Sequence, residues 1–410
     1  MLTQFSSFLA LAATFTVVLS NPVPHHASQV PGPSNGAAVK AIYFITNEES
    51  NAVVALPVSG DGTLSQGTTT LTGGAGSVAV DAEGKPALPD ALVGQSALTI
   101  AGNNIFAVNA GSNTLSMLSI DPRDPTKLVM VGQPVSIPGE FPNTVAASAS
   151  NKLACVGTTG AKNGVSCSTF SKSGLKAMDG LRSFDLKQTT PPVGPTNTVS
   201  QLFFSDDEAR LFATVKGDPA VNNTGFFSVF PIERNSCQGE ASLASKDIRS
   251  SPDGTAVLFG SAIIPGSSSV FATDASFGGA VLSVDQSSNK ATLVAKQAID
   301  NQKATCWATV SAKTGSAFVT DVGVNQVVEM SLADASILSR VDLSANGDPG
   351  LIDLRAGGDF IYALSPGNGT TAPAITVLDV SKGQGSATML QHFNPDGLGV
   401  SSKAMGMAVF

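Results

Sequence analysis

The side chains of this 410-residue chain that could carry chemistry are few. Two short stretches place a carboxylate close to a guanidinium: Asp247 and Arg249 in KDIRSSPDG, and Asp353 and Arg355 in LIDLR. A guanidinium binds a substrate carboxylate through two parallel hydrogen bonds and stabilises an enolate or oxyanion as it forms. These four are the candidate catalytic residues. Asn143 and Asn197 as polar groups and Lys303 as a cation are the candidate ligand contacts. Histidine, the usual proton carrier near neutral pH, occurs only three times. His25 and His26 sit among prolines, and His392 in LQHFNPDG reads as a late outer-strand or loop residue. Trp307 reads as core packing. With no GxSxG, no CxxC and no Gly-rich phosphate loop opening a helix, neither a serine triad nor a cofactor or metal is expected. The net charge of −8, with only 13% charged residues, argues against a nucleic-acid partner.

The elements that must position these groups are short strands. Polar Gly/Asn/Asp turns open apolar runs at GNNIFAV, ASNKLACV, SDDEARLFAT, SPDGTAVLF, AKTGSAFVT and AGGDFIYAL. With AIYFIT they give anchors Ile42, Ile105, Leu153, Leu211, Val257, Phe318 and Ile361, spaced 43–63 residues apart. A second alternating run follows each anchor, such as NAVVALPV, NTLSMLSI and GFFSVFPI. A shorter run precedes each later hairpin, as in NTVAASA, TVSQLFF and PGLIDL. Strand, turn, strand repeated seven times predicts an all-β, seven-bladed β-propeller over residues 40–410. AIYFIT lacks an inner strand and the final AMGMAVF lacks a hairpin, so the C-terminal strand is expected to close the N-terminal blade. Leu332–Leu338 is the sole weak helical candidate. This frame puts Asp247 and Arg249 on the inner strand of blade 5, and Asp353 and Arg355 on that of blade 7, all facing the channel.

Residues 1–20 read as a secretory signal, with an apolar stretch from Phe8 to Leu19 and cleavage before Asn21. Residues 21–39 read as a loose Pro/Gly/His arm. No later apolar run is long enough to span a membrane, so an exported, extracellular or cell-wall protein is expected, and a monomer. Export favours disulfides, and Cys155, Cys167, Cys237 and Cys306 allow three pairings. The short Gly/Asn-rich loop between Cys155 and Cys167 pairs these two, leaving Cys237 with Cys306. Asn222-Asn223-Thr224 and Asn368-Gly369-Thr370 are glycosylation sequons.

The turn SPDGTAVLF, with NAVVALPVSGDGTL and NTLSMLSIDP, resembles the lactonase-type seven-bladed propellers, which include 6-phosphogluconolactonase and the fungal 3-carboxymuconate cyclases. The resemblance covers roughly residues 40–410 and is nearest in flavour to the secreted fungal members. It implies chemistry at the channel mouth, where family members carry Pro-His-x-His and Pro-Arg-His-like sequences. The corresponding places here read Pro142-Asn143-Thr144-Val145 and Pro195-Thr196-Asn197-Thr198, without the histidines or the arginine. Two functions follow: an adhesin- or antigen-like glycoprotein binding an extracellular or host-surface ligand, or a cyclase or lactonase acting on a small carboxylate or lactone.

Overall fold

The computed structural model describes residues 38–234 and 240–410. The expected leader, nearly all of the arm, and Cys237 lie outside them. Seven antiparallel sheets of four or five strands follow one another along the chain and form a seven-bladed β-propeller. Blade 1 runs, from its outer edge inward, Thr68–Leu71, Ala52–Pro57, Ala41–Ile45 and the C-terminal Met405–Val409. Ile42 pairs with Val409 and Tyr43 with Ala408. The terminal strand therefore closes the ring as the sequence predicts, and the sheet edge it covers is not left open.

Burial explains the strand sequences. Ala41–Ile45 is 0% exposed throughout because neighbouring blades cover both faces, and the sequence AIYFI is correspondingly continuous in apolar character. Outer strands alternate instead: in Ala291–Ala298 and Ile337–Asp342 every second side chain turns to water. The core lies between blades. Leu153, Val165, Val199, Leu211 and Phe230 fill the space between blades 3 and 4. Phe212, Phe227, Leu258 and Leu282 do so between blades 4 and 5. Each fully buried Phe or Leu contributes about 1.5–3 kcal/mol.

Three sequence expectations need correction. SPDG does not open the second strand of blade 5. It links the outer edge of blade 4 to the innermost strand of blade 5, Leu258–Ile263, and the hairpin to the second strand, Ser269–Asp274, turns at Pro265–Ser268. Leu332–Leu338 is a turn running into the strand Ile337–Asp342, not a helix. Cys306 is a free thiol buried on the innermost strand of blade 6, Thr305–Ser311. The expected Cys155–Cys167 bridge is present, between residues that face each other across paired strands.

Candidate functional site

Innermost strands of a propeller have one edge without a strand partner, so their N–H and C=O groups must find other partners. Here the chain itself supplies them. The connection between blades 1 and 2 first pairs with the loop before blade 4, Val80 N donating to Pro192 O (3.0 Å) and Gly194 N to Val80 O (2.8 Å). It then runs into the channel, where Ala91, Leu92, Val93 and Gln95 are at most 1% exposed.

Four other blades hold this plug by hydrogen bonds. From blade 3, Asn143 Nδ2 donates to Leu92 O (3.2 Å) and Val145 N to Ser96 O (2.9 Å). At blade 4, Gln95 N donates to Ser200 O (2.8 Å), and Gln201 Nε2 reaches Ser96 Oγ (3.3 Å). At blade 6 the Gln95 amide mimics a strand: its Nε2 donates to Ala308 O (2.8 Å) and its Oε1 accepts from Ala308 N (3.1 Å). Trp307 Nε1 donates to Gly94 O (3.3 Å). From blade 7, Asp353 accepts from Ser96 N (3.4 Å) and Arg355 Nη2 donates to Ser96 Oγ (2.9 Å). Two glycines permit the close passage. A Cβ on Gly94 would stand 2.8 Å from both Ser200 O and Asn143 Nδ2, and one on Gly260 of blade 5 would overlap Gln95 Oε1.

An acid and a base flank the plug. Lys216, 1% exposed, follows the second strand of blade 4 and donates to Val93 O (2.6 Å) and Ser200 Oγ (3.2 Å). Its ammonium lies 4.2 Å from the Phe259 ring centroid. Asp90 is half-buried, and its Oδ1 is enclosed without a hydrogen-bond partner among the described residues. Burial pushes the Asp90 carboxyl up to about 7, partly offset by the charge of Lys216. Burial draws Lys216 down to about 8 against the attraction of Asp90. Burial also pushes the Cys306 thiol up, so at neutral pH it is protonated and a poor nucleophile.

The signs of these shifts give a stability test. A carboxyl raised in the folded state favours folding most below about pH 4, and that contribution is lost as pH rises through about 7. For Lys216, lowered on folding, the contribution is present above about pH 10 and lost as pH falls through about 8. The pair therefore favours folding least between about pH 7 and 8. Urea unfolding across this range is expected to show Asp90→Asn lacking the wild-type decline between about pH 4 and 7. Parallel profiles would contradict the assignment.

The sequence candidates separate clearly. Asp353, 0% exposed, and Arg355 lie on the innermost strand of blade 7, Ile352–Gly357, with Arg355 Nη1 2.6 Å from Asp353 Oδ1. Burial raises the Asp353 carboxyl, and Arg355 opposes that rise. Asn143 is at the axis, with its Oδ1 unpartnered among the described residues. Asp247 and Arg249, in contrast, are at the outer edge of blade 4, where the strand Ile248–Ser250 pairs with Phe226–Arg234. The expected inner-strand placement fails because SPDG is a link between blades rather than a hairpin, so both residues stand at the outer edge of blade 4, one strand before the inner strand of blade 5. Their ion pair (2.7 Å) stacks Arg249 4.5 Å from the Phe226 ring and 5.2 Å from that of Phe184, a packing role.

Asn197 holds a loop, its Nδ2 donating to Leu186 O (2.8 Å) from a left-handed backbone at φ 54°. Lys303 is exposed; its backbone N–H is held by Asp321, which ends the second strand of blade 6 as Asp274 ends that of blade 5. His392 is on the outermost strand of blade 7, 3.0 Å from Asp348. Trp307 is fully buried against Phe259.

Sequence reasoning missed Asp90, Gln95, Ser96 and Lys216. The one available signal was the spacing of 63 residues between Ile42 and Ile105, the widest of the series, which marks an inserted segment.

No known protein family and no curated protein matches the sequence. Among solved structures, the chain is similar to a putative 6-phosphogluconolactonase from Bacteroides fragilis, with a TM-score of 0.59 at 10% identity over 92% of this chain and all of that one. It is also similar to a protein from Lactobacillus plantarum, with a TM-score of 0.50 at 12% identity over 69% of this chain and 79% of that one. At such identities the likeness is one of fold.

Proposed function

We propose that the protein is an exported, glycosylated binding propeller. It acts through its outer surface on an extracellular or host-surface ligand, at the cell wall or beyond it, and its channel serves as structural core. The observation that carries this reading is the plug. A substrate approaching the axis meets Leu92–Ser96, and admitting it would break hydrogen bonds to four blades. The apolar leader supports export. The Cys155–Cys167 bridge suits an oxidising compartment. Asn222 and Asn368, the two sequon asparagines, are both exposed and so available to a glycosyltransferase. Among the described residues no helix is long and apolar enough to cross a membrane.

One observation favours the second reading, a lactonase or cyclase acting on a small carboxylate or lactone. Burial brings Asp90 up and Lys216 down to near neutrality beside the axis, and Arg355 could receive a carboxylate there. Incubation of the purified protein with 3-carboxymuconate and with simple lactones decides between them, and no turnover is expected. Turnover that Arg355→Ala abolishes and Arg249→Ala leaves intact would replace the binding reading with the enzymatic one.

A further inference from the structure

A cavity of about 370 Å³ lies between blades 4 and 5, away from the channel. Three turns flank it: residues 205–209 of blade 4, and residues 264–268 and 285–290 of blade 5. Phe212, Ile263 and Val284 give it an apolar floor, and Ser205, Asp206, Ser268 and Gln286 give it a polar rim.

The walls are tied together across the blades. The Arg210 side chain, 17% exposed, donates from Nε to Asn289 Oδ1 (2.6 Å) and from Nη2 to Gln286 O (3.1 Å), and pairs with Asp207 (3.4 Å). Gly266 N donates to Asp206 Oδ2 (3.2 Å). A cavity held open this way needs little ordering when a ligand arrives. Its volume is at the small end of the range for ligand pockets.

We infer that this groove binds a neutral sugar ring, such as the terminal hexopyranose of a glycan. A pyranose has an apolar C–H face, which suits a floor of partly exposed Ile263 backed by the buried Phe212 and Val284, and a rim of hydroxyls that both donate and accept. Asp206 keeps one carboxylate oxygen free to accept, and the Ser268 hydroxyl and Gln286 amide can do both. Neither of these last two side chains is engaged in a hydrogen bond among the described residues. Anions are disfavoured. Asp206 and Asp207 outnumber Arg210, and that guanidinium is already committed to Asn289, Gln286 and Asp207. The inference stands whether or not the channel is closed, so its failure would leave the reading of the channel untouched.

Saturation-transfer NMR and calorimetry on the full-length protein test it. The probes are the methyl pyranosides of glucose, mannose and galactose, N-acetylglucosamine, and sodium glucuronate as the anionic counterpart. At least one neutral ring is expected to bind with a Kd on the order of 1 mM. Asp206→Ala and Gln286→Ala should each weaken it by about three- to tenfold, as expected when one hydrogen bond at an exposed rim is lost. Ser268→Trp, which fills the groove from an exposed turn, should abolish it, with the circular dichroism spectrum and Tm unchanged. Silence from every neutral ring, binding indifferent to all three substitutions, or glucuronate binding as tightly as its neutral counterparts would overturn the inference.

Discussion

Replacing Lys216 with methionine is expected to lower the free energy of unfolding by about 1–3 kcal/mol, the usual cost of leaving buried hydrogen-bond partners unsatisfied. Methionine matches the length and apolar stem of lysine, so the loss isolates the ammonium. Without it Val93 O and Ser200 Oγ lose their donor, the Phe259 face loses its cation, and Asp90 loses the charge that moderates its burial. Lys303→Met supplies the control. That side chain is exposed, and the change should stay within about 0.5 kcal/mol of wild type. Urea denaturation at pH 7.5 reads both. A loss below about 1 kcal/mol for Lys216→Met, as small as a typical surface substitution, would mean that Lys216 does not hold the plug.

Gln95→Leu is expected to cost about 2–4 kcal/mol, because a buried donor and a buried acceptor are left unpaired. Leucine fills much of the same volume, so the effect comes from the two hydrogen bonds rather than from a cavity. The Gln95 amide is the strand partner of Ala308 at the inner edge of blade 6. Gln201→Leu makes an informative comparison. Its amide bridges Ser96 Oγ and Ser261 N, so it holds both the plug and blade 5, and a loss of similar size is expected. Thermal unfolding of the three proteins checks this, and a Gln95→Leu variant as stable as wild type would contradict it.

The propeller was legible because its signal is local. AIYFIT and AMGMAVF show apolar strands with one partner missing at each end of the chain, and the pairing of Ile42 with Val409 follows. Turn residues announced the first hairpins of blades 2, 3, 4, 6 and 7, but a turn motif does not say which two strands it joins. SPDG has the composition of a hairpin and serves as a link between blades, which puts Asp247 and Arg249 at an outer edge and not on an inner strand. Asp353 and Arg355, where the run PGLIDL was read correctly as an inner strand, came out at the axis.

The site itself was not legible, for a different reason. Asp90, Gln95 and Ser96 sit in a segment without periodicity, and their partners are far off in sequence. Gln95 meets Ala308 across 213 residues and Ser96 meets Asp353 across 257. Lys216 reads locally as the charged residue that ends an apolar strand, and only the ring closure turns it inward. The sparse histidine pointed away from acid–base chemistry at the channel mouth. The structure relocates that question to a carboxylate and an amine whose proton affinities are set by burial.

Residues 91–97 form part of the protein's core. Amide hydrogen exchange, read by NMR or by mass spectrometry of peptides spanning residues 88–100, tests it most directly. The Gln95 N–H donates to Ser200 O at 2.8 Å in a fully buried setting. It is expected to exchange only through global unfolding, slowed by about 10⁴-fold or more and matching the innermost strands. Exchange of that amide at the rate of an exposed loop would contradict the plug, reopen the channel and restore the enzymatic reading.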